Sequence, residues 1–401
     1  MITPLSLSPR ILRSRALLPR AYLPPGPSLV CARLFNVLAV ESSADDTAAA
    51  IVTSDRRILA NVVIKQNQIH EQYGGIYPLE AARAHQQNLP LAVQRALTEA
   101  RLDMSSIDGV AFTRGPGMPG GLTVGAAGAR TLAAALNKPV VGVHHMQAHA
   151  LTALLTEPSS SRPAFPFLTL LVSGGHTLLV LATSPFRFEI LASTLDIAVG
   201  NAFDKVARAL RVPGWATLGP GAALEAFCEP MPQENEDTTV PRFRHGMTRQ
   251  SDAMSFTGPH TQVDRVISRA GGLAALSGET QKDLAREFQR EAVGQLVRKT
   301  RWGLDQCKER GHIVKHVVVS GGVASNQYLR ARLRDALGEG VILAFPPPAL
   351  CTDNAVMIAY ASLYRFLVGD TDEYNVAIRK DWSLEDLEEP NAWTESGLVD
   401  I

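Results

Sequence analysis

Cysteine is scarce in this chain: four residues in 401, Cys31, Cys228, Cys307 and Cys351, with no Cys-x-x-Cys among them. That excludes a cysteine-ligated zinc, argues against a disulfide scaffold and suits a reducing compartment. No apolar run reaches the roughly 18 residues of a membrane span, so a soluble chain with no membrane contact is expected. Net charge is missing too, with 39 basic against 39 acidic residues. Overall charge therefore cannot hold a nucleic acid, and any RNA contact must come from a local patch.

Acidic residues are absent before Glu41, where Arg10, Arg13, Arg15, Arg20 and Arg33 stand among Ser and Leu. This is the composition of an organelle transit peptide over residues 1–33, and the arginines interrupt the apolar core that a secretory signal needs. A mitochondrial matrix location is expected. Without those five arginines the count is 34 basic against 39 acidic, a mildly acidic mature protein.

The remaining length and a 46% hydrophobic content allow two domains of ordinary size. Leu34 to Val40 reads as a buried strand, Glu41-Ser42-Ser43-Ala44-Asp45-Asp46-Thr47 as a tight polar turn, and Ala48 to Val52 as a second strand. Actin-like ATPase and sugar-kinase folds open in this way, which places Asp45 and Asp46 at a phosphate site. The stretch from Ile69 holds an aromatic beside a Gly pair and leads into a helix with Arg83 and His85, groups that could meet an RNA backbone. A strand from Val110 enters Arg114-Gly115-Pro116-Gly117-Met118-Pro119-Gly120-Gly121. Those glycines permit close approach of a ligand or a neighbouring helix, but no Gly-Lys-Ser/Thr follows, so this is not a P-loop.

A Pro- and Ser-rich bridge at 157–166 divides the chain into lobes at 34–160 and 161–385, with a tail at 386–401 and the last helices free to pack back on the first lobe. Phe167 to Val172 runs into Ser173-Gly174-Gly175-His176-Thr177 and returns, repeating the N-terminal plan; Val317 to Val319 runs into a second Ser-Gly-Gly before a helix. Exposed amides in such turns can bind phosphate without a positive side chain. Between them, Asp204 lies in one expected helix and Glu225 in the next, both placed to hold ribose hydroxyls. Leu284, Phe288, Ala292 and Leu296 recur at helical spacing and read as core.

One pair of side chains stands out. His145 and His149 sit four apart where a β-branched run gives way to a helix, so both rings share a face and can reach one cation, zinc or iron. The helix reads His-Met-Gln-Ala-His, without the general-base Glu of zinc peptidases, which disfavours a metallopeptidase. Far along the chain, Cys351-Thr352-Asp353-Asn354-Ala355 starts a helix, and Asp353 folded back on the imidazoles would complete a two-histidine, one-carboxylate site with open positions.

With these motifs in order, the chain resembles the tRNA N6-adenosine threonylcarbamoyltransferases, above all their mitochondrial branch, from about Leu34 to Tyr364. The motifs are Glu-Ser-Ser-x-Asp-Asp-Thr, Tyr-Gly-Gly-Ile-Tyr-Pro, Gly-Pro-Gly-Met, His-His-Met-Gln-Ala-His, Leu-Val-Ser-Gly-Gly-His-Thr, Phe-Asp-Lys-Val-Ala-Arg, Ser-Gly-Gly-Val-Ala-Ser-Asn and Thr-Asp-Asn-Ala. The resemblance implies a two-lobed actin-like α/β fold with a duplicated βββαβα core and a central cleft. It implies one divalent ion on His145, His149 and Asp353, an adenylate site lined by Leu171, Val172, Ser173, Gly174, Gly175, Asp204, Gly221, Glu225, Ser325 and Asn326, and acidic positions Asp45 and Asp46 close to the ion, the expected catalytic pair. The implied reaction moves threonylcarbamoyl from threonylcarbamoyl-AMP to N6 of adenosine 37 in tRNAs reading codons that begin with A, by a homodimer. A nucleotide-binding regulatory protein of the actin-like type is the rival from another class. Ala44, Asp46, Asn201 and the run Leu218 to Gly221 depart from the family's usual residues.

Overall fold

The structure is a computed structural model that describes residues 34–71, 73, 75–231, 238–243, 252–391 and 393. The leader read at 1–33 lies outside them, as does most of the tail.

The described chain builds one sheet, then another. First come β1 (Asn36–Glu41), β2 (Thr47–Thr53), β3 (Ile58–Ile64), α1 (Asn67–Glu71), α2 (Pro78–Ala100), β4 (Gly109–Gly115), α3 (Pro119–Ala135), β5 (Val140–His144) and α4 (His145–Thr156). Then follow β6 (Phe167–Val172), β7 (Thr177–Ala182), β8 (Phe188–Thr194), α5 (Val199–Ala209), α6 (Trp215–Leu218), α7 (Pro220–Cys228), β9 (Ala253–Met254), α8 (Thr257–Arg269) and α9 (Gly278–Glu309). The chain closes with β10 (His316–Ser320), α10 (Gln327–Leu337), β11 (Ile342–Ala344), α11 (Pro348–Cys351) and α12 (Ala355–Phe366).

Strand order is β3-β2-β1-β4-β5 in the first sheet and β11-β10-β6-β7-β8-β9 in the second. Read from the hairpin side, the second is β8-β7-β6-β10-β11 with β9 added at the edge, so the plan of the first is repeated. In each, two hairpins make three antiparallel strands and two parallel strands follow through helical crossovers. The apolar runs explain why: every residue of β2 and β6 is buried, as sheets covered on both faces require.

Two helices lie between the sheets. α4 packs on β6 and β10, α12 packs on β1, β2, β4 and β5, and the two pack on each other. Both are apolar nearly all round, the pattern of helices surrounded by protein. Along α9, Leu284, Phe288, Ala292 and Leu296 are fully buried, as their spacing predicts.

Candidate active site

The ligand helix starts where β5 ends. His144 is its N-cap: Nδ1 accepts from the amides of Met146 and Gln147, which leaves the proton on Nε2, 3.1 Å from the Trp382 carbonyl. Burial pushes this imidazole down to about 3, so it stays neutral. The sequence places the helix start near His144; the first helical residue is His145, because His144 is spent as the cap.

The structure brings His145, His149 and Asp353 together, with one ligand atom from each within 4.8 Å of the others. The Nε2 atoms of the two histidines lie 3.5 and 3.1 Å from the same oxygen, Asp353 Oδ1. Asp353 is not the cap of α12, although the sequence allows that. Asn354 takes the task, accepting from the Met357 amide at 3.0 Å, and the neighbouring carboxylate is left to face the imidazoles.

Glu41, at the end of β1, completes the arrangement from behind. His145 Nδ1 lies 3.1 Å from Glu41 Oε2 and 3.1 Å from Ser43 Oγ, while Glu41 also accepts from the Ser43 amide at 2.6 Å and from the Thr113 hydroxyl. A carboxylate on Nδ1 fixes the tautomer and turns the Nε2 lone pair outward, as metal-ligating histidines require. Burial opposes charge on His145, but Glu41 and Asp353 outweigh it and hold the imidazole up to about 10. Burial acts upward on Asp353 too, and the two imidazoles nonetheless hold it well below the usual carboxylate range. The buried Glu41 and the partly buried Asp353 around two imidazoles thus favour positive charge at their centre, which a divalent ion could supply. His149 differs: its Nδ1 is buried with no hydrogen-bond partner among the described residues.

His145 and Asp353 line a cleft of about 870 Å³. Asp45 and Asp46 line it from the β1–β2 turn. Burial, then Asp45 and Asp353, push Asp46 up to about 7, and burial with Asp353 raises Asp45. A carboxyl raised as far as Asp46 can exchange a proton near neutrality. His85, read as a group for RNA, is instead buried: Nδ1 lies 2.8 Å from Thr47 Oγ1 and Nε2 3.0 Å from the Ala44 carbonyl, so it braces this turn. Arg83, two residues before His85, is exposed and paired with Glu80. Of the Gly115–Gly121 loop, Gly121 serves a protein neighbour and not a ligand, since a Cβ there would come within 2.3 Å of the Ser42 carbonyl oxygen.

Ser173, Gly174 and Gly175 line the opposite wall. The Ser173 hydroxyl accepts from the amides of Gly175 and His176 at 3.3 and 3.1 Å, so of this turn only the Gly174 amide lacks a protein partner among the described residues. Leu171 and Val172 bury their side chains in the two cores and can offer a ligand only main chain. Gly321 of the second Ser-Gly-Gly, at φ 101°, packs against β6: a Cβ would stand 2.3 Å from the Val172 carbonyl oxygen.

A neighbouring hollow of about 300 Å³ shares Gly174, Gly322 and Thr352 with the cleft and gathers Asp204, Gly221, Glu225, Ser325 and Asn326. Burial pushes Asp204 up to about 6. Several of these groups also hold structure: Glu225 accepts from the Gln327 amide at 2.6 Å, Asn326 caps α10 through Leu329, and the Ser325 hydroxyl donates to the Gly322 carbonyl.

Sequence reasoning missed three contributors. Glu41 was only part of a motif; His176, kept neutral by burial and then by nearby His145, titrates at about 4; and Lys380, Asp381, Trp382 and Ser383 line the cleft from a C-terminal strap with no periodicity to reveal it. Gln147, which stands beside the ligands, is buried and donates to the Pro185 carbonyl at 2.8 Å. That supplies no peptidase base.

A profile of the tRNA N6-adenosine threonylcarbamoyltransferase family matches residues 57–360. The protein of that name from Ruegeria pomeroyi is 39% identical over 364 residues, 88% of this chain and 95% of its own length. A probable mitochondrial tRNA N6-adenosine threonylcarbamoyltransferase of Arabidopsis thaliana is 39% identical over 367 residues, 87% of this chain and 74% of its own length. Among solved structures, full-length HypF in its phosphate- and nucleotide-bound form superposes with a TM-score of 0.51 at 14% identity, over 84% of this chain and 47% of that one. The shared element is the duplicated actin-like fold.

Proposed function

The chain belongs to the tRNA N6-adenosine threonylcarbamoyltransferase family, and on that premise we propose that it moves threonylcarbamoyl from threonylcarbamoyl-AMP to N6 of adenosine 37 in mitochondrial tRNAs reading ANN codons, releasing AMP. The observation that carries this reading is the convergence of two imidazole Nε2 atoms on Asp353 Oδ1 at the floor of an acid-lined cleft.

The N6 lone pair is delocalised into the adenine ring, so the donor must be activated and the leaving phosphate stabilised. His145, His149 and Asp353 would hold one divalent ion, zinc or iron, which as a Lewis acid polarises carbonyl and phosphate oxygens. N6 bonds to the carbamoyl carbon, the bond from that carbon to the phosphate oxygen breaks, and AMP leaves with the electron pair. Asp46, near half-ionised at neutral pH, accepts the proton that N6 loses, with Asp45 orienting the amine. The Gly174 amide donates to the charge that develops, an interaction whose loss costs about 2.7–4 kcal/mol in comparable sites. In this reading Asp204 and Glu225 hold the ribose hydroxyls, which is supported by their sharing one hollow with Gly221, Ser325 and Asn326.

The composition of residues 1–33 and the mitochondrial name of the Arabidopsis relative support work in the matrix, and the family resemblance implies that the chain works there as a homodimer. Light scattering of the purified protein and import of a reporter carrying residues 1–33 test those two points. The reaction is tested with purified protein, threonylcarbamoyl-AMP and tRNA: labelled threonine enters tRNA with the wild type and not with His145→Ala. Full transfer by metal-free His145→Ala overturns the reading.

A further inference from the structure

A second basin, of about 560 Å³, opens beside the metal cleft and meets it at Asp45 and Gly174. Its walls come from both halves of the molecule: Asn67 and Ile76 from the first, and Asn201, Lys205, Arg208 and Trp215 from α5 and α6 of the second. The volume lies in the range of sites for small organic ligands. The lining is a flat aromatic face, two cations, the His70 imidazole and two amides, with two carboxylates: Asp45, where the basin meets the metal cleft, and Asp204, which also lines the hollow of Glu225.

Two details sharpen the chemistry. The Arg208 guanidinium stands 5.5 Å from the centroid of the Trp215 ring, and its Nη2 reaches to 3.9 Å from the place a Cβ on Gly75 would occupy, so it spans from α5 to the segment before α2. Gly75 and Ile76 are bracketed by Tyr73 and Tyr77, whose rings stack at 4.7 Å while each is nearly half exposed. An arginine laid on an indole, an aromatic pair at the rim and a further lysine make a surface for an unstacked base and its phosphate. The Asp45 carboxylate at the inner opening suits the far edge of such a base if that edge carries an amine.

We propose that this basin receives the extruded acceptor purine of the RNA, stacked on the Arg208–Trp215 pair with its phosphate on Lys205, so that the exocyclic amine enters the metal cleft between Asp45 and Gly174. The inference rests on the transfer reaction proposed above and assigns its acceptor a place beside the hollow of Glu225 and Asn326, with which the basin shares Gly174, Asp204, Gly219 and Pro220.

The full-length protein is tested with a fluorescent anticodon stem-loop RNA by anisotropy and with AMP, as the donor-side probe, by calorimetry. Trp215→Ala and Arg208→Ala are expected to weaken RNA binding about tenfold and leave AMP affinity unchanged, whereas Trp215→Phe binds RNA like the wild type. Replacing the loop's acceptor purine by an abasic residue is expected to weaken wild-type binding and abolish the difference between wild type and Trp215→Ala. Should Trp215→Ala fail to fold, Arg208→Ala and Trp215→Phe carry the comparison. RNA affinity unchanged in folded variants, or AMP affinity lost in their place, overturns the assignment. Failure of the wild type to modify tRNA at all would instead sink the reaction itself.

Discussion

Glu41 Oε2 lies 3.1 Å from His145 Nδ1, across 104 residues of sequence. The carboxylate is fully buried, its other oxygen holds the Ser43 amide, and it makes His145 the better anchored of the two imidazole ligands.

Glu41→Gln keeps the shape and removes the charge that fixes the tautomer. Metal affinity is expected to fall about 10- to 100-fold, the usual cost of losing an outer carboxylate on a ligating histidine. Competition with a graded series of chelators measures it, and a variant that holds its ion as tightly as the wild type contradicts the assignment.

A base that works only when ionised gives a rate that rises with pH through its own titration. Asp46, pushed up to about 7, should therefore make transfer increase from pH 6 to pH 8 and level off above. Asp46→Asn should lower kcat by about 10²–10⁴ and flatten that rise. An Asp46→Asn profile that keeps the inflection near 7 assigns the proton to another group.

Removing the ion should cost both activity and stability, since an ion that binds only the folded chain stabilises it by about 4 kcal/mol at a thousand times its dissociation constant. Chelation is expected to lower the melting temperature by several degrees and abolish transfer. Zinc and ferrous iron, added back separately, are compared by recovery of both.

The C-terminal strap is held by Gly115, where a Cβ would fall 1.7 Å from the Arg379 carbonyl oxygen. The strap also receives the Arg114 side chain at the Ala377 carbonyl, and Arg114 and Arg379 flank the Trp382 ring. Gly115→Ala must push it away, at a cost of about 1–3 kcal/mol or more. Urea unfolding reads the loss, and the threonylcarbamoyl-AMP KM should rise because Lys380 to Ser383 form one wall of the cleft.

Much of this was legible in the residues. Apolar runs mark β1, β2, β4, β5, β6, β7 and β10, though not the outer strands β3, β8 and β9; i,i+4 spacing put two imidazoles on one face, and a repeated strand-turn-strand pattern predicts the repeated sheet. What stayed hidden depended on contacts that no local pattern encodes. Asp353 and Asn354 are both good caps, and only the backbone angles of Asn354, extended at φ −154°, ψ 156°, give it the role. His85 looks like a basic group on a polar helix until α2 is seen to press that face against the Asp45–Asp46 turn. Glu225 reads as a sugar contact and Asn326, by the resemblance, as part of the adenylate site, yet each also secures the start of α10, Glu225 from α7 and Asn326 as its cap.

The ligand set straddles the duplication. His145 and His149 belong to the helix that follows the first sheet, and Asp353 to the entrance of the equivalent helix after the second. Each helix packs across the divide, α4 on β6 and β10 of the second sheet and α12 on β1, β2, β4 and β5 of the first, and the two press on each other. An ion bound there would clasp these two crossed helices, so a loosening of α4 against α12 would be felt at the ion as a change in the spacing between Asp353 and the imidazoles.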